Sequence, residues 1–429
     1  MARPGVHLPL TSAQQGIWTG QQLDPSSARY NAAEYVRIDG PLDIIRFEKA
    51  LRQTVSETEA VQVIFEANLH GVAQRFKGAA DWRLPIVDAS CEENPWQYVL
   101  TWMLNDLETV VDLEEGPLFA HALFALESDC FVWYHRAHHI ALDGYGFYLF
   151  ASRVAELYTS GRTKYGLSRA WFGSLRDAIA EDVTFRNSPE WDTHRDFWSS
   201  HLEDLPIPPV LAKRPSTPSD RIFRSVGSIP TQASSLWQTI AHRTGATWVE
   251  VVLALTVLYV HQQSMADEII LGLPVMGRLG STTARTPMMN VNVVPVRVPI
   301  GTGAKLSEIV LSVSRELRTI RPHHRYRVER LRHDLRLRGA RHRMYGPSVN
   351  IIPFDRKFDF DGHRAHARNL AAGVGFLEDS VIHLYPGTGI EQGVLQIDAN
   401  ADCYDQCELQ NHLGNLVRVF SRDHAPLSS

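Results

Sequence analysis

Between Cys130 and Gly161 the chain writes a strand, a loop and a helix in succession, and this constrains the fold more than any other feature. Cys130 to Ala137 is rich in β-branched and aromatic residues, with Phe131, Trp133 and His135 on one side and Val132, Tyr134 and Arg136 on the other. From Tyr145 to Ser160, Phe147, Leu149, Phe150, Val154, Leu157 and Tyr158 recur at helical spacing, and Gly161 follows as a C-cap. The loop between them reads His138-His139-Ile140-Ala141-Leu142-Asp143-Gly144. If the extended backbone continues through both histidines, their side chains point to opposite faces, and at most one reaches a given pocket. Three readings stand for this loop. The histidines are structural or at the surface, they bind a metal, or one of them moves a proton. The helical H-E-x-x-H spacing and any Cys/His cluster are absent, which counts against metal. Asp143 and Gly144 favour proton transfer, with Gly144 permitting a turn that no β-carbon would tolerate.

A chain of 429 residues exceeds what one hydrophobic core organises, so two domains of about 150–250 residues are expected. Hydrophobic residues make up 44% and charged residues 21%, with a formal net charge of −5, which argues against nucleic acid as the main partner. No segment reaches about 18 uninterrupted apolar residues, and MARPGVHLPL lacks the apolar core of a signal peptide, so no membrane partner and a cytoplasmic location are expected. Cys91, Cys130, Cys403 and Cys407 do not make a disulfide framework.

Along the first half, patterning predicts a strand at Val36–Ile38 and a helix from Leu42 to Glu57. Strands at Val61–Phe65 and Val72–Phe76, a helix from Pro95 to Leu107 and a strand from Leu118 to Leu126 follow. Breaks fall near Gly161–Trp171, ahead of a charged helix Ser174–Phe185, and at the proline-rich crossing from Pro206 to Pro218. Beyond it come a nearly all-apolar helix Thr247–His261, strands Ile269–Leu273 and Val291–Val298, and a helix Leu306–Ile320. The second half repeats the mixed α/β grammar of the first without a residue-level repeat, and a cleft between the halves is the expected ligand site.

Several stretches, taken in order, carry a family resemblance. Leu8-Pro9-Leu10-Thr11-Ser12-Ala13-Gln14-Gln15-Gly16-Ile17-Trp18 is similar to the opening motif of nonribosomal peptide synthetase condensation domains, and His138–Gly144 matches their HHxxxDG signature. Val291-Asn292-Val293-Val294-Pro295-Val296-Arg297 resembles their Val-Asn-Thr strand, with Val293 in place of Thr. Asp-Gly-Tyr-Gly at 143–146, His-x-Arg-Tyr-Arg at 323–327 and Val349-Asn350-Ile351-Ile352-Pro353-Phe354 are most similar to condensing enzymes of siderophore assembly, of the vibriobactin and enterobactin type.

The resemblance implies an α/β (α+β) fold of two chloramphenicol-acetyltransferase-like lobes, a V-shaped pseudodimer with a central tunnel. The lobes are drawn at 1–168, carrying HHxxxDG, and 169–429. It implies an acyltransferase that forms an amide by attack of an amine on an acyl thioester. No cofactor is bound; substrates arrive on the phosphopantetheine arms of donor and acceptor carrier proteins, beside adjacent synthetase domains. The isolated domain is expected to be monomeric, without nucleic acid or membrane.

By the same resemblance, His139 faces the tunnel as general base or positioning group, with His138, Asp143 and Gly144 completing the catalytic set and no metal site. Asp143 is expected to brace the loop rather than relay charge. The family's Arg in the second motif is replaced here by Gln62, within Glu59–Phe65, so Arg278 from the second lobe is the expected partner of Asp143, tying the lobes together. Gly144 is assigned to backbone geometry, with its amide open to an oxyanion. Asn350 and Asn292 lie in apolar strands and either line the tunnel or satisfy nearby backbone groups. The arginines from Arg315 to Arg343 read as a solvated helical face, with a carrier contact second. Rival readings are a coenzyme A-dependent acyltransferase to a soluble alcohol or amine, and a non-catalytic recruitment platform. Adenylation and carrier motifs are absent from the chain, which leaves a free-standing enzyme and an excised domain both open.

Overall fold

The computed structural model describes residues 7–422 apart from 70, 79–81, 162–170, 215–217, 220, 279, 338–342, 353–356, 374 and 388–391. Pro353, Phe354, Leu279, His342 and most of the 161–171 break lie outside the described residues.

The chain forms two compact units, each assembled from three stretches of sequence. One comprises Met1–Ser188, Met276–Val291 and Asp355–Gly375, and the other Pro189–Val275, Asn292–Phe354 and Phe376–Ser429. The sequence pattern and the family resemblance lead to a single boundary at 168. Two later segments join the first unit for identifiable reasons: the strand His363–Ala372 hydrogen-bonds to Asn31–Asp39, and Arg278 and Met288 bond the motif loop.

In the first unit a six-stranded sheet runs Lys357–Phe360, His363–Ala372, Asn31–Asp39, Cys130–His138, Phe119–Glu127, Ile86–Asp88. The motif strand is central and all nine of its residues are buried. Its period-two alternation explains why. Phe131 and Trp133 pack with Phe47, Phe147 and Phe150 of helices Ile44–Glu57 and Gly144–Ser160. Val132 and Tyr134 pack with Val99 and Met103 of helix Pro95–Leu107. A small separate sheet runs His7–Pro9, Gly71–Phe76, Val63–Asn68 and so includes the opening strand.

In the second unit the sheet order is Asn292–Pro299, Glu268–Val275, Ser348–Ile351, Ser380–Tyr385, Gly393–Asn400, Ile222–Ile229. Helix Trp248–Ser264 has buried residues around its circumference and forms the spine of that core with Leu306–Ile320 and Gln406–Ser421. Its start is fixed by a reciprocal capping box between Thr247 and Glu250. No single helix among the described residues is long and apolar enough to cross a membrane.

Candidate active site

The motif strand ends at His138, and the chain then turns, so the two histidines do not continue one extended segment. Each is held differently. The His138 ring is 2% exposed; its Nδ1 accepts from the Ile140 amide at 3.2 Å and its Nε2 faces Gln21 Oε1 at 3.1 Å. Both nitrogens are committed, with the proton on Nε2. Burial pushes its pKa down to about 3, so it is a neutral structural imidazole at ordinary pH.

His139 is only partly buried. Its amide donates to the Tyr30 carbonyl at 2.7 Å, and its ring Nδ1 lies 2.7 Å from the Leu142 carbonyl. A carbonyl has no proton to give, so Nδ1 carries the hydrogen and Nε2 keeps its lone pair. Burial lowers the pKa below the usual imidazole value, against the opposing pull of the Leu142 carbonyl and Asp143. The ring is thus neutral at pH 7 and its Nε2 is able to accept a proton.

Asp143 does not turn toward that ring. Its Oδ1 caps helix Gly144–Ser160 through the Gly146 amide at 2.8 Å and takes Arg278 Nη2 at 3.0 Å. Its Oδ2 takes Arg278 Nη1 at 2.7 Å and the amides of Asn290 and Val291, each at 2.9 Å. Both side chains of the pair are 2% exposed. Burial alone would raise the carboxyl pKa, but Arg278 and the amides outweigh it and hold it below the ordinary value. Arg278 also donates to the Met288 carbonyl at 2.7 Å, and it lies in the same compact unit as Asp143. The expected Asp143–Arg278 pair forms, but Arg278 reaches Asp143 from within the same compact unit rather than from a second lobe, and the pair joins a helix start to the segment 276–291.

Gly144 needs a second correction. Its backbone is not left-handed, and a β-carbon there would meet nothing within 4 Å. Its missing side chain leaves open space at the helix start, where no tight turn requires it. The glycine the fold does require is Gly146, whose β-carbon would lie 3.2 Å from Leu142 Cδ2 and 3.3 Å from the Met288 backbone nitrogen and oxygen.

Asn292 is fully used by backbone: Nδ2 donates to the carbonyls of His324 and Tyr326 at 2.9 and 2.7 Å, and Oδ1 accepts from the Val328 amide at 3.1 Å. Asn350 is partly exposed, with Nδ2 3.2 Å from His383 Nδ1. Gln62 bonds the carbonyls of Val55, Ser56 and Thr58 at the end of helix Ile44–Glu57. In the basic stretch Arg315, Arg318 and Arg321 are exposed, whereas Arg327 is buried beside Glu329. Among the described residues no group of three His, Cys, Asp or Glu side chains could hold a metal ion.

Sequence reasoning missed the polar support beneath the loop. Gln14 and Gln74 exchange reciprocal side-chain hydrogen bonds at 3.1 and 2.8 Å, and Gln14 reaches the Ile140 carbonyl. Gln14 and Gln21 sit seven residues apart on helix Ser12–Leu23, hence on one face. Two buried glutamines at that spacing were the available signal. The carbonyls of Tyr30, Leu142 and Met288 carry no side-chain signature at all.

A family model described as "Condensation domain" matches residues 6–420. The chain belongs to the condensation-domain family. Members form amide bonds by acyl transfer in nonribosomal peptide synthetases. This condensation domain is 39% identical over 414 residues to the dimodular nonribosomal peptide synthase of Bacillus subtilis (strain 168), covering 96% of the chain and 17% of that protein. It is 26% identical over 431 residues to enterobactin synthase component F of Escherichia coli (strain K12), covering 98% of the chain and 33% of the relative. A solved structure of the first condensation domain of the calcium-dependent antibiotic synthetase, in complex with a substrate analogue, superposes with a TM-score of 0.91 at 29% identity, covering 99% of this chain and 98% of that one. The siderophore-type resemblance thus holds, although the Bacillus relative matches at higher identity. The mixed α/β fold, with one six-stranded sheet in each unit, is the chloramphenicol-acetyltransferase-like fold of these domains. The chain spans between one sixth and one third of the length of these curated relatives.

Proposed function

We propose that this chain joins an amine acceptor to an acyl group delivered as a thioester on the phosphopantetheine arm of a carrier protein, with His139 as the general base. The observation that carries this reading is the fixed tautomer of His139, with Nδ1–H held by the Leu142 carbonyl and the Nε2 lone pair retained. The amine nitrogen attacks the thioester carbonyl, and the proton of the resulting ammonium passes to His139 Nε2. The tetrahedral intermediate collapses with loss of the thiolate, which takes that proton as it leaves, so the imidazole is neutral again. Gly144, at the start of a helix with open space beside it, leaves room for the oxyanion near the positive end of the helix dipole. Asp143 contributes by holding the loop, because its two oxygens are occupied by Arg278 and backbone amides.

Asn350 is the second proposed substrate contact, since its amide is partly exposed, whereas Asn292 serves the backbone. The relationship to enterobactin synthase component F supports an aryl or other non-peptidyl acyl donor. The four cysteines are free thiols, which agrees with a reducing, cytoplasmic setting. Donor and acceptor carrier proteins and neighbouring synthetase domains are the proposed partners.

The test is mass-spectrometric acyl transfer with matched donors on a carrier protein and on coenzyme A, and with carrier-bound and free amines. Carrier-dependent amide formation is expected, reduced about 10²–10⁴-fold in His139→Ala with an unchanged melting temperature. Efficient transfer from coenzyme A would replace this reading with a soluble acyltransferase. Full activity in His139→Ala would remove the base. The rate should also fall in acid with a midpoint below the ordinary imidazole value, because the folded His139 is harder to protonate than a free one.

A further inference from the structure

The sheet of the second unit carries a buried polar chain that the reaction scheme above does not use. Asn350, His383, Gln396 with Asp398, and Arg224 sit on four strands that are adjacent in that order. Asn350 is paired in register with His383, His383 with Gln396, and Asp398 with Arg224. Their neighbours Val349, Ile382, Leu384, Leu395 and Ile397 belong to the hydrophobic core, so by alternation the polar residues share the opposite face.

The contacts follow one another along that face. Arg224 Nε and Nη2 hold Asp398 Oδ1 and Oδ2 at 2.7 and 2.8 Å. Gln396 Nε2 donates to Asp398 Oδ2 at 3.0 Å. His383 Nε2 lies 3.4 Å from the same oxygen, an ion-pair distance without hydrogen-bond alignment. His383 Nδ1 is 3.2 Å from Asn350 Nδ2. His383 and Asp398 are each 1% exposed. Burial pushes the Asp398 carboxyl up, and His383 and Arg224 more than reverse it, so Asp398 is ionised.

An ionised carboxylate only accepts, and an imidazole lone pair aimed at it would be repelled. The proton of His383 therefore sits on Nε2, and Nδ1 becomes an acceptor for Asn350 Nδ2. The Asn350 amide is then fixed in one of its two orientations, with Oδ1 as its acceptor end. We propose that His383, Asp398 and Arg224 are positioning residues that orient the Asn350 carboxamide so that its carbonyl oxygen receives an N–H of the amine acceptor. This rests on the reading of Asn350 as a substrate contact.

Two measurements test it. The first is ¹⁵N NMR of histidine-labelled protein, with His383 assigned by its absence in His383→Gln. A neutral Nε2–H tautomer is expected, and an Nδ1–H tautomer would overturn the proposal independently of any reaction. The second is a double-mutant cycle on kcat/KM for the amine acceptor. His383→Phe should lower it about tenfold in the wild-type background and less than about twofold in Asn350→Ala, because the histidine acts through the amide. Asp398→Asn, which keeps the shape and the Arg224 contact, should show the same dependence on Asn350 if His383→Phe folds poorly. Equal losses in both backgrounds would make the chain a purely structural brace and overturn the proposal. No effect of Asn350→Ala with the Nε2–H tautomer confirmed would overturn the substrate contact while leaving the orientation intact.

Discussion

The two units each bury a carboxylate gripped by two nitrogens of an arginine, and the two pairs serve different ends. Asp143 spends its remaining capacity on three backbone amides, those of Gly146, Asn290 and Val291. Asp398 spends its own on the side chains of Gln396 and His383. The first pair fixes main chain, namely a helix start and the segment that crosses it. The second fixes a side chain. Asp143, four residues after His139 in sequence, is thus not that histidine's hydrogen-bond partner, while His383, fifteen residues before Asp398, is its neighbour in space. Proximity along the chain is a poor guide to which carboxylate tunes which imidazole.

The sharpest way to break this contrast is to delete the arginines. Arg278 is 2% exposed, so Arg278→Ala strands a buried charge, and chemical denaturation should show a loss of about 3–5 kcal/mol. The Arg224 side chain is 33% exposed, so water can reach Asp398 in Arg224→Ala, and the loss should be about 1.5–3 kcal/mol. Equal losses would mean that the backbone amides already satisfy Asp143 without its arginine.

Acid acts on the loop region through more groups than the carboxylate pairs. Asp143 and Asp398 both have depressed pKa values, so their contributions are present above the ordinary carboxylate range and are lost as pH falls through the depressed values. Burial holds His138 and His135 at about 3, and His135 is packed beneath helix Gly144–Ser160 against Phe147 with Glu34 at 2.8 Å. An unfolded histidine binds its proton near pH 6.5, so between that value and about 3 the unfolded chain holds more protons than the folded one and stability drops as pH falls. Urea midpoints should begin to decline below about pH 6.5. A decline confined to the carboxylate range would show that these imidazoles are not buried neutral.

How much of this was legible in the sequence depends on how local its cause was. Helices Pro95–Leu107 and Leu306–Ile320 were read with their observed bounds because apolar period and end signals agree. The motif strand and its helix were legible for the same reason. The strand His363–Ala372 was not: its ten residues, His-Arg-Ala-His-Ala-Arg-Asn-Leu-Ala-Ala, contain no β-branched side chain, and its conformation is set by pairing with Asn31–Asp39. Helix Ser12–Leu23 was hidden because the face it buries carries Gln14 and Gln21 beside Ala13. At the site, Asp143 and Arg278 were legible as a pair only through the family resemblance, since opposite charge alone does not single out one of 43 lysines and arginines. The unit to which Arg278 belongs was not, since the chain crosses between units at Val275 and Val291. The carbonyl that sets the tautomer of His139 belongs to Leu142, where any residue would supply one.

The smallest expected effect separates two glycines in the same turn of helix. Gly146→Ala forces a methyl group to within 3.3 Å of the Met288 backbone, and overpacking of this kind should cost about 1–3 kcal/mol. Part of that cost falls on the Arg278 pair, because Met288 supplies a carbonyl to Arg278. Gly144→Ala meets no atom within 4 Å, and alanine favours helix by up to about 1 kcal/mol, so denaturation should show no loss. If the open space beside Gly144 receives the reacting carbonyl, the same methyl group lowers kcat/KM without touching stability. A Gly144→Ala variant with full activity would move the oxyanion elsewhere and leave the glycine without a chemical role, whereas a stable but slow variant would place the reacting carbonyl against the start of this helix.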